Sequence, residues 1–158
     1  MSEKPYTTQS LLIPEREEER DFTRADLRFF GLDHSGPSYQ ARLFLNNPTA
    51  NEATPREQES GYAGAFTIFG HGGCFGEAGH CDLPPGPREP FDLRPPHPLT
   101  PTTKTVIITD FLRQLRDDGA REFTVTIVPI AYQTNLPTGR PRKGPVLQFD
   151  SISLLTYQ

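Results

Sequence analysis

The chain has 158 residues, enough for one domain with a sizeable core, and its hydrophobic share is 34% with a mean hydropathy of −0.56. Sixteen Lys and Arg against 20 Asp and Glu leave a net charge of −4, which argues against sequence-independent binding to nucleic acid, because neutralising phosphates takes concentrated positive charge. Seventeen prolines and thirteen glycines, beside eleven Phe and five Tyr, point away from helical bundles and toward short strands joined by long loops.

Residues 1–24 read as a polar arm, with the acidic run Glu15 to Asp21 and a single apolar run, Leu11 to Ile13. That run is too short for a signal peptide or a membrane span, so a cytoplasmic setting with reduced cysteines is expected. A solvated tail is the plain expectation for such a composition. The alternative is a strap that docks Leu11 to Ile13 on a partner or on the domain's own edge.

From residue 25 to 158 one domain is expected. Strands are expected at Asp26 to Leu32 and Tyr39 to Asn46, separated by the turn residues Asp33-His34-Ser35-Gly36-Pro37. The pair is expected to be adjacent or joined by a corner, with His34 a surface residue of the turn. Tyr39, Ala41, Leu43 and Leu45 share one face of the second strand, which marks that face as core. A polar loop over 47–60 leads to a third strand from Ala63 to Phe69, with Phe66 and Ile68 on one side.

Glycines at 70, 72, 73, 76 and 79 then break the pattern, and both cysteines and two of the four histidines fall within eleven residues. Beyond them prolines recur from Pro84 to Pro101, which predicts a stiff, extended loop packed across one end of the sheet. Thr105 to Ile108 reads as a strand and Thr109 as the N-cap of one short helix, with Phe111, Leu112 and Leu115 as its apolar stripe and Gly119 as its stop. Phe123 to Ile130 is the clearest strand of the chain. A basic, turn-rich loop over 132–144 and one or two strands within Val146 to Tyr157 complete an all-β antiparallel sandwich, jelly-roll-like, with one short helix and a long Pro/Gly-rich loop.

The succession QARLFLNNP (Gln40 to Pro48), GYAGAFTIFGH (Gly61 to His71), KTVIITDFLRQL (Lys104 to Leu115), FTVTIVPI (Phe123 to Ile130) and VLQFDSISLLTY (Val146 to Tyr157) resembles the C-terminal domain of polyphenol oxidases and related tyrosinase-family proteins. The resemblance implies a β-sandwich that lies against a dicopper domain and covers its entrance. It puts Phe44, Ala63, Gly64, Phe66, Thr109, Val125, Thr126 and Pro129 at core or corner positions, none of them catalytic. Two departures stand out. The Cys- and Pro-bearing segment after His71 has no counterpart in the plant pattern, and Ile130 follows Pro129 where an Arg is usual. The dicopper site such proteins carry needs a helical bundle and more histidines than the four present here, so the chain is expected not to be an enzyme.

His71, Cys74, His80 and Cys81 form a His-x2-Cys-x5-His-Cys cluster, and thiolates with imidazoles suit Cu(I) or Zn(II). Neighbouring His80 and Cys81 strain a single tetrahedral site, so His71, Cys74 and Cys81 make the simpler ligand set. A Cys74–Cys81 disulfide and a pair of buried thiols that serve only as packing are the competing readings. A Cys-His nucleophile lacks any evident orienting residue. Phe75, Phe91 and His97 are the candidate partner-binding residues. Two functional classes follow: an accessory domain that covers or supplies copper to a tyrosinase-like oxidase, with no membrane or nucleic-acid partner, and a general ligand- or carbohydrate-binding module. The absence of Trp counts against a sugar platform.

Overall fold

The computed structural model describes residues 3–15, 21–34, 36–70, 90–91, 100–132 and 145–158. Nine strands and one helix are defined there: β1 Tyr6–Thr7, β2 Leu11–Leu12, β3 Arg24–Leu32, β4 Tyr39–Leu45, β5 Tyr62–Ile68, β6 Thr102–Ile107, α1 Thr109–Asp117, β7 Glu122–Phe123, β8 Val125–Ala131 and β9 Ser151–Tyr157. A four-stranded sheet in the order β1-β8-β4-β5 lies against a three-stranded sheet in the order β6-β3-β9, and β2 pairs with β7. Every pairing is antiparallel. This is the expected β-sandwich, and β3 and β4 lie in different sheets, so the turn between them is a corner.

The core follows from period-two alternation on facing strands. Ala25, Leu27 and Phe29 of β3 and Ala41 and Leu43 of β4 are wholly buried, with Tyr39 and Leu45 close behind. Phe29 meets Phe66 of β5 at 4.9 Å between ring centroids, a contact that joins the two layers. In β3 the phase changes at Gly31, whose φ is +69°. The four residues from Phe29 to Leu32 stand opposite the three from Lys104 to Thr102, and this bulge turns Leu32 inward as well as Phe29. Phe44 points to the other side of β4 but is buried too, because the loop over 46–60 folds beneath the sheet and packs Ala50 against Phe44, Val128 and Tyr62.

The expected Phe123 to Ile130 strand is two strands, interrupted at Thr124. The N–H of Thr124 donates to the side chain of Asn46 at 2.9 Å and its carbonyl accepts from the Asn46 N–H at 3.0 Å. Together with the Tyr132 N–H to Ser38 carbonyl bond, this phases the ladder so that even positions of β8 bond to β4. Pro129 therefore sits where its missing N–H takes nothing from that ladder.

Helix α1 departs from its expected start. Thr109 is its first residue and not its cap; its hydroxyl accepts from the Ala25 N–H at 3.0 Å, which ties the helix to β3 instead. The stop is as expected: Gly119 adopts φ +87°, its N–H donates to the Arg116 carbonyl, and the Ala120 N–H donates to the Leu115 carbonyl, each at 2.9 Å. Leu112 is wholly buried.

The largest correction concerns the first residues. Residues 3–15 follow the alternative reading, a strap docked on the domain's own edge, and not the solvated tail. β1 covers the edge of β8, Thr8 exchanges bonds with Val125 through both its backbone N–H and its hydroxyl, and Ile13 is buried in the core. The physical reason is the sheet edge: β7 and β8 would otherwise present unpaired peptide groups, and the short apolar run satisfies them. The strap's far end is clamped by Arg116, which binds both oxygens of Asp21 at 2.7 and 2.8 Å. That contact holds the Arg116 guanidinium above its usual pKa range.

Candidate functional site

Of the residues singled out from the sequence, His71, Cys74, Phe75, His80, Cys81 and His97 lie outside the described residues. Phe91 is described and is 91% exposed. Among the described residues no group of three or more His, Cys, Asp or Glu is placed to hold a metal ion.

What the structure does define is the frame from which that segment springs. β5 ends at Ile68, and two residues later the Gly70 N–H donates to the Ser38 hydroxyl at 3.0 Å. A Cβ at Gly70 would collide with backbone atoms of Gly36 and Pro37; the chain runs so close to the turn that only glycine fits. On the return side, His34 donates from Nε2 to the Thr100 carbonyl at 2.7 Å, which places the proton on that nitrogen. Gly70 and Thr100 are therefore both tied to residues of the connection between β3 and β4. The Tyr132 N–H donates to the Ser38 carbonyl at 3.0 Å, so Tyr132 is tied to the same connection. His34 is half-buried and holds a structural bond, where the sequence suggested a plain surface residue.

Beside this turn lies a cleft of about 330 Å³ lined by Gly31, Asp33, His34, Pro101, Gln148, Phe149 and Asp150. Its shape comes from the β3 bulge. The Asp33 N–H donates to the Gln148 carbonyl at 3.0 Å and the Asp150 N–H to the Phe30 carbonyl at 2.9 Å, which draws the 148–150 segment across the bulge. The Asp150 carboxyl occupies the space a side chain at Gly31 would need. Phe149 stacks edge-on against Tyr6 and Phe29, with centroids at 5.4 and 5.8 Å, and so links the cleft to the strap and to the core. Sequence reading missed this arrangement. Its one sequence signal is the glycine at the end of an otherwise regular β3 pattern.

On the outer face of the three-stranded sheet, Asp26 is buried and accepts from Arg24 Nε at 2.7 Å. This bond is the chief reason the Arg24 guanidinium is held above its usual range. Arg28 reaches the Tyr157 hydroxyl at 3.1 Å. The Arg24–Asp26 ion pair lies within β3, whereas the Arg28–Tyr157 bond links β3 to β9.

No family model and no curated protein matches the sequence. Solved structures do. A latent aurone synthase (polyphenol oxidase) from natural source matches with a TM-score of 0.52 and 18% identity over 98% of this chain and 24% of that chain. The recombinantly expressed latent aurone synthase gives 0.54 and 18%, covering 98% of this chain and 25% of the other. Its form co-crystallised with hexatungstotellurate(VI) gives 0.54 and 19%, with 98% and 24% covered. The chain thus spans about a quarter of the length of the solved structures it matches. At this identity the likeness is one of fold: the chain is built like one portion of a latent polyphenol oxidase, in line with the resemblance to the C-terminal domain read from its segment order.

Proposed function

We propose that this chain is a non-catalytic accessory β-sandwich that docks on a dicopper, tyrosinase-like oxidase, covers the entrance to its site and assists the arrival of copper. The observation that carries the reading is the asymmetry of the structural match: nearly all of this chain corresponds to about a quarter of a larger oxidase chain. The 71–99 segment, whose flanking residues Gly70 and Thr100 are bonded to Ser38 and His34, is the element that meets the oxidase, through Phe75, Phe91 and His97. Its His71, Cys74, His80 and Cys81 are the donors for Cu(I) or Zn(II).

The test is to mix the purified protein with a tyrosinase-like oxidase at micromolar concentrations and follow phenol oxidation and complex formation by sedimentation. A change in rate with a co-sedimenting complex is expected. No complex and no effect would reject the accessory role, and phenol turnover by this chain alone would reject its non-catalytic character.

A further inference from the structure

The three-stranded sheet ends in β9, which among the described residues is hydrogen-bonded on one side only, to β3. Alternate peptide groups of such a strand turn their N–H and C=O away from the sheet. Proteins that remain single usually blunt such an edge with lysine, proline, a bulge or a very short strand. β9 has none of these. Its seven residues, Ser151 to Tyr157, carry no charge and no proline, and its register with β3 runs unbroken from Phe30 opposite Ser151 to Arg24 opposite Tyr157. Of the other edges, β1 covers part of β8, β6 carries Lys104, and β5, which like β9 has no charge and no proline, is broken by a register shift against β4.

Burial points the same way. Ile152 and Leu154 stand opposite Phe29 and Leu27 on the core side of the sheet. Phe29 and Leu27 are wholly buried, while Ile152 and Leu154 remain partly exposed where they pack against the core. The outer layer of the core is thus incomplete along this one strand.

We propose that the free edge of β9 pairs antiparallel with β9 of a second copy of the chain, across a two-fold axis at Leu154, to form one continuous sheet with three strands from each copy. The strand is self-complementary in this arrangement. Leu154 faces Leu154 of the partner subunit, Ser153 faces Leu155 of the partner subunit, and Ile152 faces Thr156 of the partner subunit. Every such pair keeps core-side residues opposite core-side residues, so Ile152 and Leu154 gain apolar neighbours, and no like charges meet. A single strand pair buries less than a standard interface, which sets the expected affinity in the micromolar range.

The experiment is sedimentation equilibrium of the full chain from about 1 µM to about 1 mM, with amide hydrogen exchange over the same range. The expected result is a mass that doubles with concentration while the amides of β9 gain protection. Ser153→Lys, on the outer face of the edge, is expected to weaken association at least about tenfold with an unchanged melting temperature. Thr156→Lys, at an exposed position, provides the same charge should the first variant fold poorly. A single-copy mass throughout the range, a dimer that both lysines leave intact, or a dimer without added protection in β9 would each overturn the proposal.

Discussion

Removing the guanidinium of Arg116 tests whether the strap is part of the fold. The side chain is 10% exposed and its partner Asp21 31%; the two make a two-point contact, and the guanidinium carbon lies 4.9 Å from the centre of the Phe22 ring. Exposed ion pairs contribute up to about 1 kcal/mol. The forked geometry and the low exposure of Arg116 put this one at the top of that range, discounted for the water that reaches Asp21. The stacking on Phe22 adds about 1 kcal/mol. Arg116→Ala is therefore expected to cost about 2 kcal/mol, or a fall of roughly 4–8 °C in Tm for a chain of this size. Arg116→Lys keeps the charge but not the fork and should cost about half as much. With no Trp in the chain, urea unfolding followed by far-UV circular dichroism is the assay, and a double-mutant cycle with Asp21→Ala should give a coupling of about 1 kcal/mol. The sign with pH follows from the raised pKa of Arg116. Its contribution is fully present below the ordinary arginine range and is lost only as the guanidinium deprotonates above it, so the coupling should be the same at neutral pH and at about pH 10. A coupling below about 0.3 kcal/mol, or one that fades between those two pH values, would refute the clamp.

Ile13→Ala should cost about 2–4 kcal/mol in the same unfolding assay, since a buried side chain at 6% exposure leaves a cavity; a solvated tail would give no change. Gly61→Ala should cost at least about 2 kcal/mol, because φ is +83° and a Cβ there meets the Leu45 carbonyl; an unchanged urea midpoint would contradict the turn geometry. Phe149→Ala should cost about 3 kcal/mol and also raise amide exchange in β1, because Phe149 touches both Tyr6 and Phe29; protection in β1 that stays the same would show the strap to be held independently. If the 71–81 donors hold metal, the purified protein carries near-stoichiometric copper or zinc by elemental analysis and the double replacement of Cys74 and Cys81 by Ser abolishes it, whereas a metal-free protein rejects that ligand set.

Local alternation made much of the scaffold legible. Tyr39, Ala41, Leu43 and Leu45 announce a buried face because a strand exposes its sides at a period of two, and they are buried. Gly119 announces a helix end because few other residues take its left-handed conformation at low cost, and both expected carbonyl bonds close there. The order of such segments, more than any one of them, carried the resemblance to polyphenol oxidase that the fold bears out. The candidate loop was legible only as composition, a run of glycine, cysteine and proline whose geometry no local rule specifies.

What the chain's own pattern determined, then, is which segments become strands and which face of each is apolar, since those depend on residues two or four positions apart. Tertiary structure alone decided the rest. Thr109 looks like a helix cap until β3 brings the Ala25 N–H to its hydroxyl; Leu11 to Ile13 look like part of a tail until β7 offers an edge to pair with; and His34 looks like surface until Thr100 arrives beside it. Each of these outcomes turns on a partner 66 to 112 residues away in sequence, and a bond between groups so far apart exists only once the layers have packed.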